Sequence, residues 1–392
     1  MIALSASQLR IEGAVSGAPF VARVTRNASL PASLRTSHFL LGRLDQANIP
    51  TEFGGYGKAA HAANHNSGLK NVFVIPPALD HLDEGDVLKI DPGKRAIRVL
   101  YRRKSSHNAL LLTERCNSFC LMCSQPPRDV NDDYIVDDVA SALKLISPET
   151  TEITLTGGEP TLLGERFIEL IRLFKNYLPR TSLHVLSNGR NFRDASLAHA
   201  VGKIGHHDIM FGIPLYSDLS DVHDFVVQAD GAYDETIRGV LNLRAAGVPI
   251  EIRVVIHKQT YARLPELAKF ISRNLTFVNH VALMGLEMTG FTKANLEALW
   301  IDPWDYQEEL VQAVNTLDRF RIRTSIYNHQ LCLIPESVRR FSVKSISDWK
   351  NEYMPECDGC MRKHECGGFF SSASLRYSER ITPFRANVNV AN

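Results

Sequence analysis

The order of apolar and amphipathic segments predicts an α/β protein built on a parallel sheet. From about residue 106, six apolar strand candidates (109–112, 152–155, 182–186, 208–213, 250–256 and 280–286) alternate with amphipathic stretches. Polar or glycine-rich signatures follow each of the first three candidates, at the same end. The seven cysteines fall as three plus four. Such alternation implies right-handed crossovers and either an open doubly wound sheet or a barrel. In both, ligands bind at the carboxyl ends of the strands.

The helical segments are read from their spacing. Phe167, Leu170, Ile171 and Phe174 keep the i, i+3, i+4, i+7 spacing of one helix face. Ile237, Val240 and Leu241 lead to a stop at Gly247-Val-Pro249, and Leu264, Leu267, Ala268 and Ile271 mark a third helix. Residues 1–105 carry no long helical pattern. Gln8 to Arg26 reads as short strands broken by Gly13, Gly17 and Pro19, and 54–68 as a small-residue loop. Asp86 to Tyr101 reads as two strands around a turn at Asp91-Pro-Gly-Lys94. We therefore expect a β-rich N-terminal domain (1–105), an α/β core (106–295) and a cysteine-rich C-terminal extension (296–392).

Composition narrows the function classes. Hydrophobic content of 44% and charged content of 22% are those of a globular chain. A formal charge of +1 gives no field for nucleic acid, and Arg102-Arg103-Lys104 reads as a solvated strand end. The first ten residues lack the basic start and apolar core of a signal peptide, and no run approaches the length of a membrane span. The expectation is a cytoplasmic protein with no membrane or nucleic-acid partner, whose cysteines ligate metal rather than pair.

The chemistry concentrates in Cys116-Asn-Ser-Phe-Cys120-Leu-Met-Cys123. Three thiolates on one loop suit an iron–sulfur cluster and leave one iron of a cubane open for a small molecule. A zinc knuckle is the alternative, but zinc in a structural site wants four closed ligands and no fourth is near. Thr156-Gly-Gly-Glu-Pro160 follows the second strand. Its glycines admit a close ligand, Pro160 fixes the turn, and Glu159 can accept from an ammonium group. Ser187-Asn-Gly-Arg190 follows the third strand. Among strand-end polar residues, His257 and Glu287 read equally as structural, and His223 as a helix-start or surface residue.

These three motifs, in this order, resemble the radical S-adenosylmethionine (SAM) superfamily over residues 106–290. The resemblance implies a partial (β/α)6 TIM-like barrel holding a 4Fe-4S cluster on Cys116, Cys120 and Cys123. It further implies SAM chelating the open iron, with contacts from Gly157, Gly158, Glu159 and Pro160. Ser187 and Asn188 match the ribose contact. Met122 stands where an aromatic residue often meets the adenine. The implied reaction reduces the cluster, cleaves SAM to a 5′-deoxyadenosyl radical and removes a hydrogen atom from the substrate. Pro214-Leu-Tyr-Ser217 departs from the Ser-Leu-Asp-Gly stretch of peptide-modifying relatives.

The second cysteine group is Cys357-x2-Cys360-x5-Cys366-Gly-Gly, preceded by Cys332. Four thiolates close a metal site, so a structural or electron-transferring role fits, with zinc and His364 as the competing ligand set. This group resembles the extension of radical SAM peptide maturases that holds auxiliary 4Fe-4S clusters, here shortened to one. The whole layout is most similar to the maturase of the His-Xaa-Ser peptide system. Leu286-Glu-Met-Thr-Gly290, Leu299-Trp-Ile-Asp-Pro303 and Glu356-Cys-Asp-Gly-Cys360 carry that likeness. It implies a precursor peptide substrate, a reductant such as flavodoxin or ferredoxin, and a second radical SAM maturase as partner. Modification of RNA or a small molecule, and a non-catalytic metal-stabilised binding protein, are the competing readings.

Overall fold

A computed structural model describes residues 3–42, 44, 49–59, 68–344 and 352–385. They form two compact units. The first comprises 1–112, 132–155 and 169–182; the second comprises 113–131, 156–168 and 183–392.

The first unit holds an eight-stranded sheet made of β1 (Ser5–Ala6), β2 (Ile11–Glu12), β3 (Phe20–Thr25), β4 (His38–Leu41), β5 (Gly55–Ala59), β6 (Val72–Ile75), β7 (Val87–Asp91) and β8 (Ala96–Tyr101). Its strand order is β1-β8-β7-β3-β4-β5-β6-β2. β3 to β6 pair in parallel, while β7 and β8 form the expected antiparallel hairpin about Asp91–Lys94. The helix Asp133–Leu143 lies against β3, β7 and β8 through a buried face that includes Ile135, Val136 and Val139. Lys89 pairs with Asp138 of this helix.

One expectation fails here. Part of the 54–68 stretch is not loop but β5, while 60–67 lie outside the described residues. The strand was hidden by Gly55 and Gly57, which weaken strand propensity. The glycines have a packing cause: a Cβ on Gly57 would stand 2.6 Å from the buried Phe39 ring and 3.0 Å from Leu41. Phe39 lies across β5 and meets Phe73 at a centroid distance of 6.1 Å.

Seven further strands follow: β9 (Asn108–Leu111), β10 (Glu152–Thr156), β11 (Ser182–Leu186), β12 (Ile209–Pro214), β13 (Ile250–Ile256), β14 (His280–Gly285) and β15 (Thr324–Tyr327). At least one helix lies in each connection, including Glu165–Tyr177, Ala232–Ala245 and Leu264–Asn274 at the expected positions. β11 to β15 pair in chain order and all in parallel. This is the α/β fold of a partial TIM-like barrel, in a chain that also has a β-rich N-terminal sheet. β15 is an addition to the six strands read from sequence. Its four residues, Thr-Ser-Ile-Tyr, are too short and polar to give a periodic signal. No helix among the described residues is long and apolar enough to cross a membrane.

Gly57→Ala should lower the stability of the first unit by about 1–3 kcal/mol, because the Phe39 ring is fully enclosed and cannot withdraw. A urea unfolding midpoint equal to that of the wild type would contradict this.

Candidate active site

The cysteine loop is held from two sides by hydrogen bonds to its backbone. Phe119 N and Leu121 N donate to Val227 O and Val226 O at the end of helix Ser220–Val227, at 3.0 and 2.9 Å. On the other side Thr292 Oγ1 and Asn295 Nδ2 donate to Met122 O and Leu121 O, and Phe291 N donates to Cys123 O at 2.8 Å. Gly290 makes that approach possible. It has φ +54°, and a Cβ there would stand 2.2 Å from Cys123 O. Thus the Leu286–Gly290 stretch noted in the sequence backs directly onto the cysteine loop.

The three thiols are partly buried and resist ionisation. Burial, then the nearby Glu159 carboxyl, pushes Cys116 up to about 11, and burial with repulsion from the other two thiols pushes Cys120 up to about 12. Burial also raises Cys123. Such a trio becomes a good thiolate set when a cationic soft metal compensates its charge, which fits the donor chemistry of an iron–sulfur cluster.

Gly157 and Gly158 are required by the protein as well as by any ligand. Cβ atoms there would fall 2.7 Å from Thr113 O and 2.0 Å from Arg115 O. Gly158 N and Glu159 N donate to those same carbonyls at 2.8 Å, so this loop is stitched to the start of the cysteine loop.

Glu159 ties the loops of the site together. Its carboxylate is fully buried: Oε1 accepts from Thr161 N (3.0 Å), Thr161 Oγ1 (2.5 Å) and Ser187 Oγ (2.8 Å), and Oε2 accepts from Asn188 N (2.6 Å). It is therefore engaged by its own chain. Pro160 is buried beside it in the 3-10 turn Pro160–Leu163, and neither residue lines the cavity described next.

A cavity of about 310 Å³ opens at the carboxyl ends of the strands. Cys116, Cys120, Cys123, Met122, Gly157, Gly158, Ser187 and Asn188 all line it, so the structure brings together the three motifs apart from Glu159 and Pro160. Asn188 Nδ2 donates to Asn117 Oδ1 at 2.6 Å and lies 3.9 Å from Cys116 Sγ. Arg190 adds a brace: it donates to Asn117 O and to Ser118 Oγ, and pairs with Glu235 at 2.6 Å. The loop after β11 is thus bolted to the cysteine loop.

Two wall residues were missed by sequence reasoning. Tyr216, in the departing Pro214–Ser217 stretch, lines the cavity and stacks on His223. His223 is buried rather than at the surface, and its Nδ1 accepts from Tyr216 N. Arg253 reaches the cavity from β13 and donates to the buried Glu251 Oε1 at 2.8 Å. Burial alone would raise the Glu251 carboxyl, but the His280 hydrogen bond and the charge of Arg253 hold it at about 2. The signal for Arg253 was two charges at i, i+2 in the apolar strand Ile250–Ile256, which places both on one face. Glu287 lines the cavity; His257 is buried outside its wall.

Cys332, Cys357, Cys360 and Cys366 line one small separate cavity with Tyr353, Arg362 and Lys363. Leu331 N and Gly368 N each donate to Cys366 Sγ at 3.4 Å. His364 lies outside that wall with its side chain 76% exposed, so the His-containing zinc set is not assembled. Among the described residues no three His, Cys, Asp or Glu side chains converge on the position of a single metal ion. A cluster distributes its ligands over several irons and makes no such demand.

Residues 110–271 match the sequence profile of the radical SAM superfamily. The pre-heme d1 synthase of Dinoroseobacter shibae is 28% identical over 161 residues, which are 40% of this chain and 38% of that protein. The probable GTP 3′,8-cyclase of Methanocella arvoryzae is 27% identical over 161 residues, 40% of this chain and 50% of that protein. The chain thus spans half or less of the length of these curated relatives. Among solved structures, Streptococcus suis SuiB bound to S-adenosylmethionine aligns at TM-score 0.46 and 15% identity, over 60% of this chain and 52% of that one.

Gly158→Ala should displace the Arg115–Cys116 backbone and leave the reconstituted chain with about half the wild-type iron or less. Iron analysis checks this, and wild-type iron content would show that the backbone yields. The acid stability profile gives a second test. Burial holds His223, His257 and His329 at about 4, below the ordinary imidazole value of 6.5. Each stays neutral when folded and binds a proton earlier when unfolded, so its contribution is complete above pH 6.5 and lost as pH falls toward 4. The slope is about 1.4 kcal/mol per pH unit for each. Urea unfolding at pH 7, 6 and 5 should show this steep loss, and a flat profile would contradict it.

Proposed function

We propose that this protein is a radical SAM enzyme that modifies a ribosomally made precursor peptide, from the premise that residues 110–271 match the profile of that superfamily. The carrying observation is the single cavity lined by Cys116, Cys120, Cys123, Gly157, Gly158, Ser187 and Asn188. Cys116, Cys120 and Cys123 would hold a 4Fe-4S cluster. The Gly157–Gly158 backbone, Ser187, Asn188 and Met122 would hold SAM. When bound, these groups supply a 5′-deoxyadenosyl radical able to take a hydrogen atom from an unactivated carbon.

The chain's own residues have distinct tasks. Glu159 fixes the loops after β10 and β11 to each other. Arg190 and Asn188 fix the latter to the cysteine loop. Met122 and Tyr216 supply apolar wall that keeps water from the reacting centre. Arg253 places a cation in the cavity wall, held by Glu251.

The C-terminal cysteines favour a peptide substrate over a small molecule. Cys332, Cys357, Cys360 and Cys366 around one cavity fit a second, auxiliary cluster of the kind that the maturase resemblance implies. Such a cluster could accept the electron that a crosslink or unsaturation leaves behind. The finer reading is a maturase of the His-Xaa-Ser system, served by a flavodoxin- or ferredoxin-like reductant and a second maturase. It is supported by the Leu286–Gly290, Leu299–Pro303 and Glu356–Cys360 stretches.

The test is 5′-deoxyadenosine formation by anaerobically reconstituted protein with SAM and a strong reductant. Wild type should form it and bind about eight irons per chain. The Cys116/Cys120/Cys123→Ala variant should form none and keep about four. A wild type that holds only zinc and cleaves no SAM would overturn the proposal.

A further inference from the structure

A second cavity, of about 60 Å³, adjoins the first. The two share Gly285, Leu286 and Asn328 as lining, and the second shares Gln330 with the cavity of the four C-terminal cysteines. It therefore lies between the two thiol groups. Its walls come from Trp300, Tyr306, Phe369 and Tyr377, with Ser372 on the side of the C-terminal segment.

The junction between the cavities is built with care. Asn328 follows β15 at φ +60°, a left-handed conformation that asparagine tolerates better than most residues. A Cβ on Gly285 would stand 2.4 Å from Asn328 O, so only glycine lets the loop close there. His329 is buried and bonded on both ring nitrogens, to Tyr327 O at 2.7 Å and Tyr306 Oη at 2.8 Å. The loop is thus locked with Asn328 facing both cavities.

Size and charge define the occupant. At roughly 30 Å³ per water the cavity has room for about two waters, the space of a short side chain. The charged wall residue Arg376 is already stacked 4.4 Å from the Trp300 ring and bonded to Glu297 at 3.0 Å. A cationic side chain entering here would lose its hydration beside the Arg376 cation without gaining a partner ion, and an anionic one would have to compete with Glu297 for that guanidinium. Gln330 donates to Gly368 O, which leaves its carbonyl oxygen as an acceptor.

Resting on the peptide-modifying reading, we infer that this cavity receives a short, uncharged side chain of the substrate, while Asn328, whose Nδ2 already donates to Gly285 O at 3.4 Å, positions the substrate by hydrogen bonding to its peptide backbone at the mouth. The side chain would adjoin the cavity of Cys116, Cys120 and Cys123, and bound SAM would supply there the 5′-deoxyadenosyl radical to which one of its hydrogen atoms would pass, C–H bond broken for C–H bond formed.

The experiment uses the reconstituted full chain with SAM, reductant and one of three N-acetyl amino acid N-methylamides deuterated at the β carbon: alanine, aspartate or phenylalanine. The readout is the fraction of 5′-deoxyadenosine that carries deuterium. Alanine should give at least about tenfold more than the other two, and Ser372→Trp should bring it down to their level. Asn328→Ala should raise the half-saturating alanine concentration about five-fold, the worth of one neutral hydrogen bond. Saturation-transfer NMR of the alanine probe without reductant reads binding independently of turnover, and its signal should be lost in Ser372→Trp. Equal deuterium from all three probes, none from any, or transfer unchanged in Ser372→Trp overturns this inference alone. Absence of 5′-deoxyadenosine from every mixture overturns the parent reading and the inference with it.

Discussion

Three loops at the carboxyl ends of the strands depend on one buried carboxylate, that of Glu159. It accepts hydrogen bonds from Thr161, Ser187 and the Asn188 backbone and is fully enclosed. Burial pushes this carboxyl up and the donors from Thr161, Asn188 and Ser187 act against it, so loop positions and its charge state are coupled. Asn188 carries the constraint on to Asn117, and Arg190 carries it to Ser118, beside the first cysteine. An acid in this position serves the site as an internal strut.

Glycines set the other boundary condition. Gly158 presses on Arg115 O from one side of the cysteine loop and Gly290 on Cys123 O from the other. Both contacts are backbone to backbone, which side-chain rearrangement cannot relieve. The loop is thus shaped by backbone contacts of the chain itself, and burial raises its thiols. Gly285 does the same for the loop after β15.

Beneath the cavity the barrel interior is charged rather than apolar. Gly212, Glu251 and His280 are cross-strand neighbours on β12, β13 and β14. His280 bonds Glu251 at 2.6 Å and Ser325 at 2.9 Å, which fixes the carboxylate that holds Arg253. Gly212 leaves the room that the Arg253 stem and His184 occupy. A buried pair of this kind defines one geometry for the cation in the cavity wall.

The sequence by itself determined the α/β class, six of the seven strands in the second half, and the order of three motifs at one end of successive strands. Those features are local: hydrophobic period, turn chemistry and cysteine spacing are all read within a few residues. It could not place β5, whose glycines make sense only against Phe39, nor β15, which is short and stabilised by β14. Nor could it tell that the Glu159 carboxylate points into its own loops, that His223 is buried, or that Arg253 reaches the cavity. Each of these is a contact between residues dozens of positions apart, and spacing carries no information on which way such a side chain turns. The tertiary structure decided them, because only closure of the sheet brings the partner groups into range.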